Sequence, residues 1–169
     1  MQIRLAETAG FCFGVERAVA LAEQTARTCK NAVTLGPIIH NRHVVERFER
    51  LGLHEISSAE EAEPGQTVVI RAHGIPVSEQ RMLSARGAAA VDATCPFVKK
   101  IHVIAQKAER DGRSLLIIGT PTHPEVAAIA SYSSDAHVFQ TAEALQAWLT
   151  ERPDRRDLPF CLVSQTTGT

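Results

Sequence analysis

No Cys-x-x-Cys pair, no His-Glu-x-x-His, no Gly-x-x-x-x-Gly-Lys loop and no Gly-x-Gly-x-x-Gly turn occurs in this chain of 169 residues. The first two absences remove zinc ribbons, thioredoxin-type redox motifs and the helix-borne zinc hydrolases. The other two remove the common routes to nucleotide phosphates. A charge excess is also missing: 18 Lys+Arg stand against 19 Asp+Glu, a net charge of −1. A general nucleic-acid binder would want a strongly basic face, so that class is excluded. The apolar run 115–118 is far shorter than the ~20 residues of a membrane span. The start, MQIRLAETAG, carries Arg4 and Glu7 where a secretory signal needs an apolar stretch. The expectation is a cytoplasmic protein with neither nucleic acid nor membrane as partner.

What is present is ordinary globular composition, 44% hydrophobic and 22% charged, enough for one domain or two small ones. Short apolar runs such as TVVI and LLIIG suit strands buried on both faces. Strands are expected at 2–6, 32–35, 67–72, 89–92, 115–119, 136–139 and 160–164. Between them, Val15, Ala18, Val19 and Ala22 repeat with helical spacing, as do Val98, Ile101 and Ala105; a further helix is expected at 142–149. Alternation of this kind predicts an α/β fold of mostly parallel sheets flanked by helices. A boundary near Cys95 divides the chain into two α/β lobes, 1–95 and 96–169.

The reactive residues share a topological position. Cys12 follows the first expected strand in GFCFGVERA. His40 ends TLGPIIH, His73 ends VVIRAH, and Cys95 ends VDATC just before Pro96. His123 and Glu125 lie in GTPTHPEV, and Thr166 follows the last strand in SQTT. Ligands of open parallel sheets bind beyond the carboxyl ends of the strands, where helix N-termini favour anions and thiolates. Thiolates suit an iron–sulfur cluster or zinc, imidazoles suit a phosphate or diphosphate, and Glu125 suits proton transfer. Each residue also has a plainer reading. A lone cysteine at a strand end is often a small buried hydrophobe, and Glu125 in the first turn of a helix could simply complement its dipole. Cys29 and Cys161 read as core or surface thiols. His43, His54, His102 and His137 read as structural or solvated. Arg17, Arg42, Arg71, Lys99 and Lys100 read as solvated surface, with some adding positive potential over the site.

Taken in order, GFCFGVERA, IIHNRHVVERF, RAHG, VDATCPFVKK, THPEV and SQTT resemble the 4-hydroxy-3-methylbut-2-enyl diphosphate reductase family over the whole chain. The resemblance implies an iron–sulfur oxidoreductase of the non-mevalonate isoprenoid pathway, with three pseudo-equivalent α/β lobes in a trefoil-like arrangement around a 4Fe-4S cluster. It implies Cys12 and Cys95 as cluster ligands, His40, His73 and His123 as diphosphate ligands, Glu125 as proton donor, and Thr166 near the substrate hydroxyl. It also implies ferredoxin or flavodoxin as electron donor. Family members are longer. Their third lobe carries the third cysteine and packs with the first strand, so this chain resembles the N-terminal two lobes, and its activity alone is not expected. A diphosphate-binding half-site without catalysis is the competing reading. If the histidines hold diphosphate partly as imidazolium, affinity falls as pH rises through ~7.

Overall fold

The computed structural model describes residues 3, 4, 6 and 9–166, apart from the side chain of Arg156. Two parallel sheets stand side by side. The first collects β1 (Ala32–Leu35), β2 (His54–Ile56), β3 (Thr67–Ile70) and β4 (Ala89–Asp92) in the order β2-β1-β3-β4. The second collects β5 (Ser114–Ile118), β6 (Ala136–Phe139) and β7 (Phe160–Ser164) in the order β6-β5-β7. Every pairing is parallel, with Val33 level with both His54 and Val68, and Leu116 level with both His137 and Leu162.

Parallel strands need crossovers, and the helices supply them. Around the first sheet lie α1 (Phe13–Thr28), α2 (Arg42–Arg50) and α3 (Val77–Ala85); α4 (Pro96–Arg110), α5 (Pro124–Ala130) and α6 (Ala142–Glu151) accompany the second. One face of the first sheet packs Val69 against Ala18, Val19 and Ala22 of α1 and Val44 and Phe48 of α2. Its other face packs Val33, Leu35, Val68 and Ile70 against Leu83 of α3. Leu115, Ile117 and Val163 of the second sheet meet Ala105 of α4 and Val126 and Ile129 of α5. Central strands covered on both faces explain why TVVI and LLII are uninterrupted apolar runs. Among the described residues no helix is long and apolar enough to cross a membrane.

Several sequence expectations are refined. The strand predicted at 67–72 ends at Ile70, because the chain turns through Arg71–Gly74, with Gly74 at φ +75°. The strand predicted at 115–119 runs from Ser114 to Ile118. The helix predicted at 142–149 extends to Glu151 and buries no residue fully. Strand β2 and helix α3 carry too few apolar positions to stand out in the pattern. The strand expected at 2–6 falls on a segment that includes Gln2 and Leu5, which lie outside the described residues.

Arg71 is corrected from solvated surface to a half-buried structural clamp, while Arg17 stays exposed as expected and adds one tie to the backbone. Arg71 is half-buried across Gly36, whose missing Cβ would stand 2.6 Å from Nη1, and its Nε donates to the Gly74 carbonyl at 3.3 Å. Arg17 donates to the Thr94 carbonyl at 3.1 Å and so ties α1 to the turn before Cys95. Of the four set-aside histidines, His43 and His54 are exposed. His137 bonds Asp135 at 2.8 Å and stands against Trp148, while His102 is buried at 6% exposure.

Candidate active site at the strand ends

Strand order decides which reactive residues become neighbours. The segments after β1, β3 and β4 are stitched side by side: Ala72 N donates to the Ile38 carbonyl at 3.4 Å, and Cys95 N to the Ala72 carbonyl at 2.9 Å. His40, His73 and Cys95 therefore lie in adjacent rows. In the second sheet, Gln165 N donates to the Ile118 carbonyl at 2.8 Å, which brings the end of β7 beside the end of β5 and its His123–Glu125 segment.

Local chemistry then sets each side chain. Cys12 and Cys95 are the N-cap residues of α1 and α4, and His123 is the N-cap of α5. Cys95 and His123 each precede a proline at the first helical position. Proline Cδ excludes helical backbone from the residue before it, which fixes both in extended conformation (ψ 132° and 134°). Asn41 caps α2 by accepting from Val44 N at 3.3 Å and holds His40 just outside the helix.

The three histidines form a continuous row. The His40 and His73 ring centroids are 5.3 Å apart, and those of His73 and His123 are also 5.3 Å apart, edge to face. His123 Nδ1 accepts from Glu125 N at 3.2 Å. An accepting Nδ1 carries no proton, so the neutral ring keeps its proton on Nε2 as a donor. His73 Nδ1 is buried without a hydrogen-bond partner. Burial, with further contributions from His40, His123 and Arg71, lowers the His73 pKa from 6.5 to about 4. Of the two protonation states the sequence left open, the lowered pKa favours the neutral one for His73 near pH 7, which offers an anion an N–H dipole.

This shift has a consequence for stability. As pH falls from about 6.5 towards 4, the unfolded chain binds a proton at residue 73 that the folded chain refuses, so the folded state loses stability across that window. His73→Asn is expected to lose less stability than the native sequence between pH 7 and pH 4.5, measured by urea unfolding. Parallel losses in both proteins would refute the assignment.

Beside the row lies a cavity of about 510 Å³ lined by Cys12, His73, Cys95, Phe97, Glu125 and Thr166, among others. Glu125 is fully buried, and its Oε1 accepts the Thr166 N–H at 2.7 Å. The structure thus brings together all seven residues singled out in the sequence. Cys29, at the C-terminus of α1, and Cys161, in β7, are not among the residues lining this cavity.

Two contributors escaped sequence reasoning. Gly14 is one: a Cβ there would stand 2.4 Å from Cys95 Sγ, so only glycine lets the first turn of α1 rest on that sulfur. Its place two residues after Cys12 was the available signal. Gln165 is the other: its Oε1 accepts from Thr120 N at 3.0 Å and ties the β5 and β7 loops together. Gly14→Ala is expected to destabilise the fold by ~1–3 kcal/mol through overpacking and to change the alkylation rate of Cys95. Unchanged unfolding and labelling would show that the contact yields freely.

The donor set fits an iron–sulfur centre in kind. Two soft sulfurs line one cavity beside helix N-termini, and Gly14 leaves one of them space. It does not fit in number, for among the described residues no group of three or more His, Cys, Asp or Glu is placed to hold a metal ion. The chain can supply two ligands of a larger set.

Open parallel sheets whose loops gather thiols, imidazoles and a buried carboxylate at one end define an α/β protein with a composite polar site. The particular family follows from comparison: the model of the LytB protein family matches residues 3–169, and the chain belongs to that family. It is 42% identical over 178 residues to the 4-hydroxy-3-methylbut-2-enyl diphosphate reductase of Solidesulfovibrio magneticus, covering 99% of this chain and 59% of the relative. The reductase of the same name from Nitratidesulfovibrio vulgaris is 44% identical over 171 residues, with the same coverages. A solved structure of (E)-4-hydroxy-3-methyl-but-2-enyl diphosphate reductase, described as the terminal enzyme of the non-mevalonate pathway, superposes with a TM-score of 0.80 at 38% identity; the match covers 99% of this chain and 59% of that one. The Plasmodium falciparum E-1-hydroxy-2-methyl-but-2-enyl-4-diphosphate reductase gives 0.81 at 25% identity, over 96% and 50%. The chain therefore spans 59% of the length of several curated relatives.

Proposed function

We propose that this chain supplies most of the substrate pocket of a 4-hydroxy-3-methylbut-2-enyl diphosphate reductase. The reaction adds two electrons and two protons to the allylic alcohol, releases water, and yields isopentenyl and dimethylallyl diphosphates. The observation that carries the reading is convergence: two cysteines, Glu125 and Thr166 border one cavity that the histidine row adjoins. Residues 1–95 and 96–169 are read as two of three lobes. Cys12 and Cys95 would be two ligands of a 4Fe-4S cluster, which when bound supplies electrons and an open iron for the hydroxyl oxygen. The electron donor would be a ferredoxin or flavodoxin, and the compartment the cytoplasm.

The chain's own residues would do the rest. His123 directs its Nε2–H, and His40 and His73 their ring edges, at the diphosphate, which fixes one end of the substrate. Glu125, closed off from bulk water, would deliver a proton as the hydroxyl leaves, and its hydrogen bond from Thr166 N holds the carboxyl group in register. Exposed Phe11, Phe13 and Phe97 flank the two cysteines in sequence and form apolar surface that the rest of a reductase-length protein would cover.

The direct test is calorimetry with inorganic pyrophosphate. His73→Ala and His123→Ala are each expected to weaken binding about tenfold, the worth of one charge-assisted hydrogen bond. Equal affinity in all three proteins would sink the diphosphate assignment. The shortage of thiols favours the second reading for this chain by itself, a half-site that captures diphosphate without turning it over. Pyrophosphate binding without product formation from reduced ferredoxin would support it.

A further inference from the structure

His73 and His123 belong to different sheets, so their 5.3 Å spacing depends on how those sheets are held together. One contact between the two halves runs through His102 on the inner face of α4. On one side the ring presses on Gly74, whose missing Cβ would stand 2.6 Å from Cε1 and 3.3 Å from Nε2. On the other it lies against Tyr132, with centroids 4.9 Å apart and planes tilted by 31°. Gly74 is the residue after His73. Tyr132 comes two residues after the end of α5, the helix that His123 caps, and its hydroxyl accepts from Gln80 Nε2 at 2.9 Å.

We propose that His102 is a positioning residue: its ring is the spacer that sets how far the His73 turn stands from the segment carrying His123. For its functional half this rests on reading the row as the diphosphate site; its structural half does not.

Three observations favour a spacer over a ligand-binding group. His102 is 94% covered, so it offers a ligand almost no surface. The third atom near the same Cβ position is Thr94 Cγ2 at 3.4 Å, so the Gly74 turn is bounded by the ring and by the residue before Cys95. Gly74 has φ +75°, so the turn leans on the ring with no side chain between them. Burial, with a smaller contribution from Lys99, lowers the ring's pKa against the upward pull of Asp92 and Glu125.

A spacer and the residue it presses on must show coupled mutations. His102→Ala removes the ring; Gly74→Ala inserts a methyl where the ring stands. Each alone is expected to weaken pyrophosphate binding about tenfold, with the cost of Gly74→Ala falling to about threefold or less once His102 is alanine, a coupling of the size seen between touching residues. Ring ¹⁵N resonances of His73 and His123, recorded without ligand, should move in both single variants. Trp148→Ala, a loss of packing among His137, Phe139 and Phe160, should leave them in place. If His102→Ala does not fold, His102→Asn, flat but shorter, takes its place.

Additive effects in the cycle, or unmoved His73 and His123 resonances in a folded His102 variant, would overturn the proposal. A native protein that ignores pyrophosphate would end the diphosphate reading instead, leaving the ligand-free resonances to decide the spacer.

Discussion

Serine at position 95 is expected to abolish the brown colour and the broad absorption near ~400 nm of the reductase-length protein reconstituted anaerobically with iron and sulfide. Serine at position 12 should do the same. The substitution leaves the backbone alone: Pro96, not the sulfur, holds residue 95 extended at a helix start. What changes is the donor, from a soft thiolate to a hard hydroxyl that iron–sulfur clusters seldom accept. Cys29→Ser and Cys161→Ser are the controls and should keep the colour. Retained absorption in both Cys12→Ser and Cys95→Ser would remove the cluster from this cavity, whatever family the chain belongs to.

The second large effect concerns Glu125, where alanine and glutamine should part company. Glu125→Ala deletes a fully buried side chain and strips the Thr166 N–H of its acceptor. A cost of about 2–4 kcal/mol in urea unfolding is expected from the lost packing and the unpaired amide. Glu125→Gln keeps a carbonyl oxygen for Thr166 N and nearly the same volume, so stability should hold within about 1 kcal/mol. Turnover by the reductase-length protein should nonetheless fall by about 10² or more, since an amide has no proton to give. A glutamine variant with undiminished turnover would leave Glu125 a structural residue.

How much of this was legible in the chain follows from which signals are local. The strand–helix alternation is written in short apolar runs, and the positions of His40, His73, Cys95 and His123 at strand ends follow from it. Residues before proline, such as Cys95 and His123, announce their own backbone. Strand order is not local. That β3 lies between β1 and β4, and so seats His73 between His40 and Cys95, depends on packing across the sheet. The charge state of His73 is not local either: its pKa is lowered first by burial and then by His40, His123 and Arg71. Arg71 reads as surface because guanidinium groups usually are; its partner, the Gly74 carbonyl, appears only in three dimensions.

The two sheets differ in one respect that matters at the bench. Among the described residues both end in an uncovered strand, β4 in the first and β7 in the second, but only β7 sets a large apolar side chain beside it in the open, Leu162 at 61% exposure. A bare row of amide and carbonyl groups beside an apolar side chain invites any extended segment to zip onto it, another copy of the chain included. Handled by itself, this polypeptide should grow stickier as its concentration rises, and dilute samples are the ones in which the chemistry of the cavity can be read free of that self-adhesion.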